Sequence, residues 1–239
     1  MGAANRYCEA ERELDTLCVF SHFWAGALAP SAGATTTDAG TVATTSAAGG
    51  QVVLTPADGS VADNDEAYLA TPNAVFLFAP GRPLYGRARL KFSEVTPGVA
   101  NVCFGFQNAV GADSIVDNGG GLKVSGSTLA VYKIDGEQVF RVASANNGAS
   151  TVTKTNKAAT AGVWYDVELF AADNGDGTAA VSFKIDGQYL RDGNNQIVTH
   201  SVAVASATLM QLFAGVKLGA ATNNDTLTLD FWLGKQKVF

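Results

Sequence analysis

The chain is poor in charge. Only 16% of its 239 residues are Asp, Glu, Lys or Arg, against about 25% in an average soluble domain. Proline numbers 6, cysteine 3, histidine 2 and methionine 2. Each shortage closes a route to function. Three cysteines at 8, 18 and 103, with no Cys-x-x-Cys pair, form neither a zinc knuckle nor a disulfide framework. The expectation is three reduced thiols kept in a reducing compartment, with a Cys8–Cys18 bridge as the alternative. Sixteen scattered cations and a net charge of -6 exclude a nucleic-acid binder, which needs clustered Lys and Arg along the phosphates. The longest apolar stretch, Thr16 to Ala29, is broken by Ser21 and His22. It is shorter than the roughly 20 residues of a membrane span. Glu9, Glu11, Glu13 and Asp15 sit where a secretory leader would be apolar. Synthesis and retention in a cytoplasm are therefore expected.

What is abundant is glycine, at 26 residues, and apolar residues, at 47%. The latter suffices for a core and excludes wholesale disorder. The segment from Asn5 to Phe23 reads as a helix or an arm ordered by a partner: Tyr7, Leu14, Cys18 and Val19 can share one face. Ala25 to Gly50 is almost wholly Ala, Gly, Ser and Thr and reads as an extended arm or a loose set of short strands. Residues 1–50 are thus expected to be a helix and arm, and 51–239 a single folded domain.

From Gln51 onward about a dozen short apolar or alternating runs recur. Period two is plain in Ala88, Leu90 and Phe92 against Arg87, Arg89 and Lys91. It recurs in Tyr165, Val167 and Leu169 against Trp164, Asp166, Glu168 and Phe170. Leu227, Leu229 and Phe231 alternate with Thr226, Thr228 and Asp230. Asp135-Gly136, Asp176-Gly177, Asp186-Gly187 and Asp192-Gly193 supply turns that tolerate positive φ. The pattern predicts an all-β sandwich of antiparallel strands.

The search for chemistry finds little. Asp166 and Glu168 share a strand face but lack a third acid, and an ordinary solvated face explains them. His22 and His200 have no nucleophile elbow to serve. Asp63-Asn64-Asp65-Glu66 and Asp173-Asn174-Gly175-Asp176 do not match a calcium loop, and turn formation accounts for both. Asn118-Gly119-Gly120-Gly121 lacks the Lys and Ser/Thr of a phosphate loop. No enzyme activity, cofactor or metal is expected. Trp24, Trp164, Trp232, Phe23, Phe239 and the turn holding Arg82 and Tyr85 are candidate contact anchors, because aromatic and Arg side chains dominate interface hot spots. The core is the expected place for Trp164 and Trp232.

The order of Asp63–Ala70, Phe76–Phe78, Gly81–Leu84, Arg87–Leu90, Val102–Phe106, Asp166–Leu169, Val181–Gly187, Met210–Lys217 and Leu227–Phe231 resembles structural proteins of tailed-bacteriophage virions that carry a concanavalin-like, LamG-like jelly roll. The resemblance covers about residues 51–239. It implies a two-sheet jelly-roll sandwich acting as a capsid decoration (cement) protein at the virion surface. It also implies the major capsid protein as partner and a homotrimer as the assembled form. A carbohydrate-binding module for host attachment is the alternative, which would need Tyr132, Tyr165 and Tyr189 to face the same way.

Overall fold

The computed structural model describes residues 16–23, 33–36, 40–45, 50–57, 59–204, 207–220 and 224–237. These form nineteen strands and no helix. In chain order they are β1 (Thr16–His22), β2 (Gly33–Thr36), β3 (Thr41–Thr45), β4 (Gln51–Thr55), β5 (Glu66–Ala70), β6 (Phe76–Phe78) and β7 (Leu84–Ser93). Then come β8 (Asn101–Gln107), β9 (Ile115–Val116), β10 (Gly121–Leu122), β11 (Thr128–Lys133), β12 (Val139–Asn146) and β13 (Ala149–Ala158). The last six are β14 (Tyr165–Asp173), β15 (Thr178–Ile185), β16 (Gln188–Tyr189), β17 (Thr199–Ala203), β18 (Thr208–Lys217) and β19 (Thr226–Lys237).

Two antiparallel sheets face each other. Sheet one runs β16-β15-β14-β7-β19-β4-β3, with β1 also on β19 and β17 also on β15. Sheet two runs β13-β12-β11-β8-β18-β5-β2, with β6 also on β18. Alternate side chains of the long strands other than β13 meet between the sheets in one apolar core that includes Leu54, Phe92, Phe104, Val181, Phe183 and Trp232.

The expected N-terminal helix is not what the described residues form. Thr16–His22 is strand β1, paired with β19 from Thr16↔Lys237 to His22↔Phe231; residues 1–15 lie outside the described part. The run Thr-Leu-Cys-Val-Phe-Ser-His has period two. Leu17 and Val19 pack against the core, and β19 satisfies the backbone that a helix would have satisfied internally. Of the Ala/Thr-rich stretch, β2 pairs with β5 and β3 with β4. Cys18 is disulfide-bonded, its partner lying outside the described residues, so the three-thiol expectation is corrected. Cys103 is free and buried, and burial pushes its thiol pKa up.

The strand pattern from Gln51 matches closely, with four strands missed: the two-residue β9, β10 and β16, too short to show a period, and the long β13. β13 reads Ala-Ser-Thr-Val-Thr-Lys-Thr-Asn-Lys-Ala and is exposed along most of its length. An edge strand with two wet faces carries no apolar alternation to read. The turn between β15 and β16 behaves as its sequence requires. Asp186 and Gly187 both take positive φ, at 54° and 74°, the backbone of a two-residue hairpin.

Sheet two is covered on its outer side as well. Residues 108–127, which hold β9 and β10, lay Ile115 and Leu122 over Tyr68, Ala130, Tyr132 and Phe213. A buried cation fastens this cover. Lys217 Nζ, 1% exposed, pairs with Glu66 at 3.2 Å, Asp113 at 2.8 Å and Asp117, and donates to the Ile115 carbonyl at 3.0 Å. Glu66 also accepts from the Tyr68 hydroxyl at 2.7 Å and the Asp113 amide at 3.0 Å. A second buried pair, Lys133 and Glu94 at 2.6 Å, ties the 94–100 loop to β11: Glu94 accepts the Gly98 and Ala100 amides at 3.0 Å each. His200, on β17, is buried and shares its two ring nitrogens with Thr153 at 2.9 Å and Ser144 at 3.0 Å.

Two outcomes test these assignments. Lys217→Met leaves Glu66 as a buried, uncompensated carboxylate, so denaturant unfolding should show a loss of about 3 kcal/mol. Amide exchange in residues 108–127 should rise with it. Burial lowers the His200 pKa from 6.5 to about 4. Below pH 6.5 the unfolded chain therefore binds a proton that the folded chain refuses. The neutral ring's stabilisation is complete above about pH 6.5 and lost as pH falls towards 4, a change of about 3 kcal/mol. Urea midpoints measured at pH 7, 5.5 and 4 should fall in that order, and His200→Gln should flatten the part of the slope that His200 supplies.

Candidate functional site

The outer face of sheet one is where chemistry gathers. On β7, Tyr85, Arg87, Arg89 and Lys91 point outward, because Leu84, Ala88, Leu90 and Phe92 fill the core. On β14 the outward residues are Asp166, Glu168 and Phe170, with Trp164 just before the strand. The two rows pair on the diagonal. Arg87 Nε donates to Asp166 Oδ1 at 2.8 Å and the Tyr85 hydroxyl donates to Glu168 Oε2 at 2.7 Å. Arg89 and Lys91 each lie 5.0 Å from the Trp164 ring centre, close enough for cation–π attraction. The carboxylates that came nearest to an acid pair are thus each occupied by a neighbour.

A β-bulge on β19 shapes the other half of this face. Leu227 and Leu229 point into the core, then the register with β7 slips between Leu229 and Phe231. After the slip Trp232 enters the core beside Phe23, ring centres 6.4 Å apart, while Phe231 pairs with Arg89 on the outside. Strict alternation had Phe231 on the same face as Leu227 and Leu229; the extra residue turns it outward. Asp230, the residue left over, reaches Arg89 Nη1 at 3.1 Å.

Two clefts flank the Arg87 row. The first, about 150 Å³, is lined by Phe20, His22, Arg87, Asp230, Phe231 and Leu233. The second, about 180 Å³, lies between Tyr85, Glu168, Phe170, Ser182, Lys184 and Tyr189. There Phe170 is 43% and Tyr189 47% exposed, and Lys184 Nζ stands 4.6 Å over the Tyr189 ring.

The anchors expected from sequence are dispersed. Phe23 is fully buried against Trp232, so it serves the core instead of a surface; its place follows directly from β1 lying on β19. Trp24 and Phe239 lie outside the described residues. Tyr85 is on the outer face of sheet one, and Arg82 sits half-buried in the turn leading to it. Trp232 is in the core as expected, whereas Trp164 lies on the outer face. The three tyrosines do not share a face: Tyr132 is under the cover of sheet two, Tyr165 is in the core, and Tyr189 is on the outer face of sheet one. Asp173 and Asp176 cap their own turn, accepting the Gly175 and Thr178 amides. No group of His, Cys, Asp and Glu among the described residues is arranged to hold a metal ion. Sequence reasoning missed Phe20, Asp230 and Phe231 as site residues. The period-two run of β1 was the available signal for Phe20.

No family model matches the sequence and no curated protein matches it. Solved structures do. Lectin II from Ulex europaeus aligns over 93% of this chain and 99% of its own at 12% identity, TM-score 0.60. Peanut lectin aligns over 94% and 99% at 12% identity, TM-score 0.58. A protein of unknown function from Shewanella oneidensis MR-1 aligns over 100% of this chain and 95% of its own at 14% identity, TM-score 0.59. The fold is a concanavalin-like, lectin-type jelly roll. At these identities the likeness is one of fold.

The ladder on the outer face is half-solvated, with Arg87 and Asp166 side chains 36% and 29% exposed. Solvent-screened pairs contribute little to stability. Arg87→Gln should therefore cost no more than about 1 kcal/mol in chemical denaturation; a loss of several kcal/mol would make this row a structural element instead of a recognition surface.

Proposed function

We propose that this chain is a non-catalytic virion structural subunit of the capsid-decoration type. In this reading it assembles as a homotrimer and docks on the major capsid protein through the outer face of sheet one. The observation that carries the reading is the composition of that face. Arg87, Arg89, Tyr85, Trp164, Phe170 and Phe231 stand in adjacent rows, and Arg, Trp and Tyr are the side chains on which protein interfaces concentrate their binding energy. Two further facts support it. The strand and turn order resembles phage virion proteins, and Asp166 and Glu168 are held by Arg87 and Tyr85, an arrangement suited to a rigid docking surface more than to proton transfer.

A second reading, a carbohydrate-binding domain, draws on different observations: the lectin-type fold and the two aromatic-walled clefts beside the Arg87 row. In either reading the face recognises a partner and makes or breaks no bond.

Particles sedimented from lysates of the source culture, analysed by peptide mass spectrometry, should contain this chain, and light scattering of the purified protein should give a trimer mass. A monomer that is missing from every particle fraction would remove the decoration reading.

A further inference from the structure

The cleft at the β19 bulge has features that neither a docking face nor a structural ladder requires. Its walls are apolar. Phe20, His22 and Phe231 form a three-ring cluster, with centres 5.0 Å apart for Phe20 and His22, 5.7 Å for His22 and Phe231, and 6.3 Å for Phe20 and Phe231. Leu233 closes the floor. Polar groups sit within these walls. Asp230 gives Oδ2 to Arg89, and a carboxylate has about four acceptor sites, so acceptor capacity is left over. His22 Nδ1 is buried and meets no hydrogen-bond partner among the described residues. A buried, unpaired ring nitrogen costs about 1–3 kcal/mol, and the His22 ring that carries it lines this cleft. Arg87 lies 5.5 Å over the Phe231 ring and is already committed to Asp166.

These features select a ligand class by exclusion. A purely apolar ring would leave His22 Nδ1 unpaired and strip water from Asp230 for nothing. A cation would meet Arg87 and Arg89, and an anion would meet Asp230. A neutral ring with apolar C–H faces and hydroxyls at its edge satisfies every wall. A hydroxyl both donates and accepts, so it suits His22 in either tautomer, and it can donate a hydrogen bond to the Asp230 carboxylate. A volume of about 150 Å³ is of the size that holds one six-membered ring.

The geometry points to this cleft as a subsite for one neutral pyranose ring, held by Asp230 and His22 against Phe20 and Phe231. The inference rests on the carbohydrate reading and deepens it: it names the cleft and the class of sugar. The cleft near Tyr189 is the competing site on the same face, with the half-buried Lys184 and no unpaired buried nitrogen among its described lining residues.

The experiment is saturation-transfer NMR and calorimetry on the full chain. The probes are four neutral tetrasaccharides: those of β-1,4-glucose, α-1,4-glucose, β-1,4-mannose and β-1,4-N-acetylglucosamine. At least one should bind. Asp230→Asn and His22→Ala should each weaken that binding tenfold or more, while Val152→Ala, on the exposed edge strand β13, leaves it within twofold. Thermal melts confirm that each variant is folded. Phe231→Leu, which keeps an apolar wall, should weaken binding less than Phe231→Ala. Binding that survives Asp230→Asn and His22→Ala but fails in Tyr189→Ala overturns the subsite and leaves the carbohydrate reading standing. No binding of any probe by the unmodified chain overturns both.

Discussion

One extra residue in β19 sets the layout of sheet one. This strand is the spine of the sheet: β7 runs along its whole length on one side, while β4 and β1 share the other. Before the slip the inward residues are Leu227 and Leu229; after it they are Trp232, Gly234 and Gln236. Without the slip, Trp232 would face water and Phe231 the core. The bulge places the largest side chain of the strand inside, where its burial contributes up to about 5 kcal/mol. It also exports Asp230 and Phe231 together. Gly234 answers the same geometry, since a Cβ there would stand 2.5 Å from the Phe76 ring. Close contact between the two sheets at this point therefore depends on which residue the bulge turns inward.

The outer face of sheet one then follows from pairing rules. Opposite charges and aromatic rings occupy diagonal positions on β7, β14 and β19, and each acid there is matched by a base or a hydroxyl. Such a face gains little stability from its pairs, being open to solvent. In the docking proposed above, it would present arginines and rings in fixed positions at low entropic cost. Self-neutralisation engages the three acids of these strands: Asp166 with Arg87, Glu168 with Tyr85 and Asp230 with Arg89. The two clefts are the places where this closed ladder leaves polar capacity or aromatic surface unspent.

Sheet two is built on the opposite principle. Its central strands are buried on both faces, and two of its ions, Lys217 and Lys133, are inside. Lys217 and Lys133 each lose their hydration and recover it from carboxylates and backbone carbonyls. An ion pair of this kind adds little net energy but penalises any arrangement that leaves a partner alone. The cover segment 108–127 is therefore fixed in place by specificity more than by apolar area, and the 94–100 loop likewise. The centre of sheet two is thereby covered, while its edge strand β13 stays exposed and the outer face of sheet one is open across β7 and β14.

The amino-acid sequence by itself determined that the chain is all-β, where most strands from Gln51 onward begin and end, and which residues of β7, β14 and β15 face the core. These properties rest on local period two and on Gly and Asp turns, and both are visible in a short window. Tertiary structure decided the rest. Thr16–His22 is a strand because β19 is beside it, and Phe23 is core because that strand delivers it to Trp232. β13 was invisible because an exposed edge has no buried face to mark it. The candidate site was half legible: Arg87, Asp166 and Glu168 were placed correctly by alternation, while Asp230 and Phe231 were not. A bulge breaks the alternation without leaving any Gly or Pro to announce it. The side chains it redirects become a site only when β1, eighteen strands earlier in chain order and more than two hundred residues away, closes the cleft around them.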